Sequence, residues 1–130
     1  LTRNLGIDKS VYFFPNSACM DRLFSAMDVF VMTSLNEGLG LALMEAMASG
    51  VAVVGSDVGG IKTLISHGQS GLLVKPQDVN GLADAIGELL SDTGRAKALA
   101  QNGRDFILKN FSQDDMAART EKVYRELSPA

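Results

Sequence analysis

A single cysteine, Cys19, stands in the whole sequence, so the chain can hold no disulfide of its own. A lone thiol fits a reducing compartment and reads most simply as a small core or loop residue. Basic blocks are also missing. Lys and Arg number 12 against 15 acidic residues, for a formal charge of −3. That balance gives no reason to expect nucleic acid or an anionic membrane as the main partner. No apolar run is long enough to span a bilayer, because the longest, from Leu39, is broken by Glu45, Ser49 and Gly50. No signal-peptide pattern opens the chain. The only histidine, His67, lies in Ser66-His67-Gly68-Gln69 and reads as an exposed loop residue. There is no internal repeat and no Gly-Lys-Ser/Thr phosphate loop. What remains is an ordinary globular composition over 130 residues, enough for one domain that buries roughly two-thirds of its unfolded surface. A chain that opens at Leu1, in what reads as a helix end or loop, is expected to be part of something longer.

Hydrophobic patterning predicts alternating strands and helices. Val11–Phe14 is a strand candidate closed by Pro15 and Asn16. Met20, Leu23, Phe24 and Met27 recur at helical spacing. Val29–Met32 and Val51–Val54 are short continuous apolar runs, the pattern of strands covered on both faces. Between them a helix runs to about Ser49, with Gly50 suited to end it. Asp57–Gly60 reads as a turn and Gly71–Val74 as a last strand. From there the pattern is helical. Asp78, Asp92 and Ser112 can cap three helices, with Phe111 placed to staple onto Met116. Their inner faces would be Leu82, Ala85, Ile86, Leu89 and Leu90, then Ala96, Leu99, Ala100, Gly103 and Ile107, then Met116, Val123, Tyr124 and Leu127. The chain therefore divides into a sheet-and-helix part, 1–76, and a helical tail, 77–130. The fold class is α/β, a Rossmann-like parallel sheet with flanking helices. Ligands in such folds bind beyond the carboxyl ends of the strands. Those ends place the loops Asn16–Cys19, Thr33–Gly40 and Asp57–Lys62 on one edge.

The densest chemistry lies in Glu37-Gly38-Leu39-Gly40-Leu41-Ala42-Leu43-Met44-Glu45. Gly38 and Gly40 let backbone approach a ligand, and free N–H groups at a helix start favour an anion. Glu45 interrupts an apolar helix, so it lies at a wet edge or holds something. It stands about 7.5 Å along the axis from Gly40, stacked over Leu41. A carboxylate there matches a pair of vicinal hydroxyls. Glu37, ahead of the glycines, can reach the other side of the same phosphate group. A nucleotide-sugar would satisfy all three elements. Against this stand plainer readings: a solvated Glu45, and a simple turn at Gly59-Gly60.

These residues resemble the C-terminal, donor-binding domain of retaining glycosyltransferases of family 4, which have the GT-B fold. The likeness rests on the glutamate pair, on Glu-Gly-x-Gly-Leu and Glu-Ala-Met-Ala-x-Gly, on Val53–Gly60, and on Gly71–Asp78. Gly103-Arg104 and Phe111-Ser112 extend it over nearly the whole chain. The resemblance implies Glu37 as the catalytic residue at the donor sugar and Glu45 at the ribose. It implies donor contacts from Ser34, Gly38, Leu39, Gly40, Leu41, Gly59 and Gly60. It implies no catalytic metal and no cofactor beyond the nucleoside diphosphate sugar, which is the donor substrate. Retention of configuration, a carbohydrate or lipid acceptor, and a cytoplasmic or membrane-peripheral enzyme are further implications. A non-catalytic nucleotide-sugar-binding module, or a glucosyltransferase like glycogen or sucrose synthase, are the alternatives.

Two departures from the family pattern carry expectations. Lys62-Thr63 replaces the usual Pro-Glu after Gly59-Gly60-Ile61, and Lys62 could offer a compensating positive charge. The family's diphosphate-gripping Arg and Lys, its first two strands and the acceptor domain would lie upstream of Leu1. Val11–Phe14 is then expected to pair directly with the Val29 strand, or with a second copy by strand exchange.

Overall fold

In a computed structural model, residues 1–14 and 20–127 are described. The Asn16–Cys19 loop, Cys19 included, lies outside them. A short 3-10 turn, Asp8–Ser10, precedes the first helix. The regular elements are α1 (Met20–Ser25), β1 (Val29–Met32), α2 (Leu41–Ala48), β2 (Ala52–Ser56), α3 (Ile61–Leu64), β3 (Leu72–Val74), α4 (Val79–Ser91), α5 (Thr93–Asn110) and α6 (Gln113–Leu127). The strands form a parallel sheet in the order β1-β2-β3. Val29 stands opposite Ala52 and Met32 opposite Gly55, while Val54 stands opposite Leu72 and Ser56 opposite Val74.

The apolar runs explain the layering. All five residues of β2 are buried, because helices cover both faces of the sheet. On one face Val53 packs with Phe24 of α1, Leu43 and Met47 of α2, and Ile61 and Leu64 of α3. On the other, Ala52 and Val54 pack with Ala85 and Leu89 of α4 and with Leu99 and Ala100 of α5. α5 reaches both layers, since its Ile107 joins the first cluster. The helix ends follow the capping residues. Asp78 accepts from the Gly81 N–H at 2.9 Å and Asp92 from the Arg95 N–H at 2.8 Å. Ser112 accepts from the Asp115 N–H at 3.1 Å, and Gly50 takes φ 77° beyond α2.

Three expectations need correction, and one element is not legible in the sequence. Residues 11–14 form no strand, and among the described residues β1 pairs only with β2. A strand apolar on both sides needs a layer on each. Tyr12, Phe13 and Phe14 are exposed, so among the described residues no such cover exists. The tail of α6 is likewise not core: Met116, Val123, Tyr124 and Leu127 are all exposed. Leu90 also faces solvent, one position past the buried stripe of α4. Finally, a helix follows the Asp57–Gly60 turn at once. α3 has four residues, too few to show a helical period in sequence.

Candidate functional site

Parallel pairing puts the carboxyl ends of β1 and β2 side by side, and the loops 33–40 and 57–60 leave from there. The two loops touch through backbone. The Gly60 N–H donates to the Glu37 carbonyl at 2.8 Å. A Cβ on Gly59 would stand 2.3 Å from the Glu37 carbonyl oxygen, and one on Gly60 would stand 2.0 Å from that of Gly38. Only glycine permits this approach. Thr63 secures the far side, its hydroxyl donating to the Gly60 carbonyl at 2.6 Å. Sequence gives little sign of that role, since α3 itself is too short to read.

This packing aims the Glu37 side chain. Glu37 is half-buried, and its Oε2 accepts from the Ser34 hydroxyl while Oε1 accepts from the Gly40 N–H, each at 3.3 Å. Both bonds are longer than the usual range of about 2.7–3.2 Å, so the carboxylate is aimed but loosely held. Gly40 is the N-cap of α2, in the left-handed region at φ 69°. It has no side chain to offer the first turn. Among the described residues nothing accepts from the N–H groups of Leu41, Ala42 and Leu43. A Cβ on Gly38 would meet nothing within 4 Å. The loop is thus closed behind, where Gly59 and Gly60 stand, and open in front.

Glu45 is exposed on α2, as are Leu41 and Leu39. It lies on the wet edge of α2, the helix whose start carries the free N–H groups, and is open to hold a ligand there. Its carboxylate has no bond among the described residues. The structure therefore brings Ser34, Glu37, Gly38, Gly40, Gly59 and Gly60 together, and sets Glu45 further along α2 on an open surface. Lys62 is engaged by Asp57 across 3.3 Å in an exposed pair. Such a pair is worth about 0–1 kcal/mol, so it opens easily.

Three cavities, of about 430, 750 and 350 Å³, lie elsewhere, and neither glutamate lines any of them. The candidate site is an open strand-end surface. Among the described residues no cluster of three or more His, Cys, Asp or Glu is placed to hold a metal. No helix there is long and apolar enough to cross a membrane.

Comparison with known proteins gives the family. Residues 1–106 match the family described as glycosyl transferases group 1. The chain is 36% identical to the D-inositol 3-phosphate glycosyltransferase of Corynebacterium urealyticum, over 98% of this chain and 30% of that protein. It is similar to the solved sucrose-phosphate synthase of Thermosynechococcus elongatus, with 34% identity and a TM-score of 0.92 over 97% of this chain and 32% of that one. It is also similar to Anabaena HepE, solved in complex with UDP-glucose, with 28% identity and a TM-score of 0.87 over 97% of this chain and 34% of that one. The chain spans about a third of the length of the curated relatives it matches.

Proposed function

The chain belongs to the group 1 glycosyl transferases, and we propose that it forms the C-terminal, donor-binding part of an enzyme that moves a sugar from a nucleoside diphosphate to a carbohydrate or lipid acceptor. One observation carries the reading. A half-buried carboxylate, Glu37, is aimed beside the unfilled start of a helix, with open space at Gly38. The N–H groups of Leu41, Ala42 and Leu43, with the positive end of the α2 dipole, suit a diphosphate oxygen. Glu37 then faces the sugar, where it can exchange its long bonds for sugar hydroxyls and meet positive charge at the anomeric carbon in the transition state. Ser34 orients it. Glu45, free on the outer edge of the same helix, accepts from the two ribose hydroxyls. Backbone at Leu39 and Gly40 completes the contact.

In this proposal transfer retains anomeric configuration and needs no metal, the helix start meeting part of the diphosphate charge. A reducing, cytoplasmic setting suits the single cysteine. HepE, which holds UDP-glucose in its solved structure, supports a nucleotide-sugar donor. The HepE complex favours a glucosyl unit as the narrower reading.

Two variants of the whole protein test this. Glu45→Gln should weaken nucleoside diphosphate binding about tenfold or more in calorimetry, through loss of a charge-assisted bond worth about 1.5–3 kcal/mol. Glu37→Gln should leave that binding largely intact and lower kcat by about 10²–10³-fold. Unchanged affinity in the first would remove the ribose role. Unchanged transfer in the second would leave a binding module in place of an enzyme.

A further inference from the structure

We propose that the cavity of about 430 Å³ between α3, the 66–70 loop and α5 binds a neutral oligosaccharide. Its walls include Lys62, Thr63, Ser66, Gln69, Asn102 and Phe106. The volume falls in the range of small-molecule sites, about 300–1,000 Å³. Charge narrows the class of ligand. Lys62 is the only charged residue of the lining, and Asp57 neutralises it at 3.3 Å. A single exposed lysine that already has an acidic partner is a weak draw for a phosphate or an acidic peptide.

The remaining polar groups are of one chemical kind. They are hydroxyls and amides, which both donate and accept, as sugar hydroxyls do. Several are uncommitted. The Ser66 hydroxyl and the Gln69 side-chain amide make no bond among the described residues, although the Ser66 N–H is held by Ser70 Oγ at 2.9 Å and the Gln69 backbone N–H by the Ser66 carbonyl at 3.0 Å. Asn102 donates from Nδ2 to the Gln69 carbonyl at 2.9 Å, which fixes its amide and leaves Oδ1 free to accept. The Thr63 hydroxyl donates its hydrogen bond to the Gly60 carbonyl and keeps its acceptor capacity. Beside them stands Phe106, 36% exposed and backed by Phe111 at a centroid distance of 5.9 Å. A braced ring offers the apolar face of a hexose a flat surface. The cavity is separate from Glu37 and Glu45, and it does not depend on their roles.

The test uses the whole protein with maltoheptaose as probe, and reads the side-chain amide signals of Gln69 and Asn102 by NMR. Saturable shifts at both amides are expected at millimolar probe. Phe106→Ala and Gln69→Ala should each weaken binding by about tenfold, while Glu37→Gln leaves it unchanged. Gln69 is exposed, so its variant keeps the test valid if Phe106→Ala unfolds the protein. The proposal is overturned if neither maltoheptaose nor cellopentaose shifts the two amides. It is equally overturned if uridine or inorganic phosphate shifts them in place of the sugars, or if binding is untouched by Gln69→Ala. A failure of ribose recognition at Glu45 would leave all of these readouts as they are.

Discussion

Glycine residues a few positions apart do different work here, and the difference can be measured. Gly60 has an ordinary helical φ of −64°, so its need for glycine is purely steric: a methyl group would overlap the Gly38 carbonyl at 2.0 Å. Gly59 combines a φ of 37° with a 2.3 Å approach to the Glu37 carbonyl. Alanine at either position must push the 33–40 loop away and break the Gly60–Glu37 bond. We expect Gly60→Ala to cost about 1–3 kcal/mol in urea denaturation, the usual penalty for overpacking. Gly38→Ala meets open space and should cost less than about 0.5 kcal/mol. Yet its methyl group would occupy the space proposed for the donor, so nucleotide-sugar affinity should fall while stability holds. Equal losses of stability in the two variants would contradict the steric account, and intact affinity in Gly38→Ala would move the donor elsewhere. In sequence the paired glycines read most simply as a turn, with a donor contact implied only by the family resemblance. Their immediate reason was not legible, because a backbone contact between two loops leaves no periodic trace.

At the scale of elements, legibility followed the number of buried layers. β1, β2 and β3 lie where short apolar runs were read, and α4 and α5 begin at their aspartate caps. α5 and α6 have similar lengths and comparable sequence signals, but their fates differ. α5 places Leu99 and Ala100 in one cluster and Ile107 in the other, and its Gly103 lies under the Ser70 carbonyl. α6 keeps its apolar residues exposed and is laced by pairs such as Arg119–Asp115 at 2.8 Å and Arg125–Glu121 at 2.6 Å. Surface pairs of this spacing add about 0.3–0.5 kcal/mol each, and a helix of this length is marginal without packing. Amphipathic spacing shows that a face exists and says nothing of what covers it. Hydrogen exchange on the 130-residue chain should therefore show α5 amides protected on the order of the global stability and α6 amides exchanging many-fold faster. Matching protection in α5 and α6 would mean that α6 packs after all.

Over the whole molecule, the same reasoning turns on a free edge. Among the described residues β1 pairs on one side only, and its outer N–H and C=O groups face away from the sheet. Tyr12, Phe13 and Phe14 add apolar surface with no layer over it, and the exposed stripe of α6 adds more. In sequence these residues are indistinguishable from strand and core, because apolar patterning marks surface that should be covered without naming the cover. The fold class was legible because β2 and its two layers are complete within 130 residues. The exposure of residues 11–14 was not, because apolar patterning alone does not say what covers it. Unpaired edges and apolar patches drive association, and strand exchange between copies would satisfy both. The 130-residue chain alone should thus gain mass with concentration in analytical ultracentrifugation. Phe13→Lys, a charge on an exposed ring position, should shift that association to higher concentration without lowering the denaturation midpoint. A monomer at every concentration would show that neither the edge nor the aromatic segment is sticky enough to recruit a second copy, and strand exchange would then have no driving force.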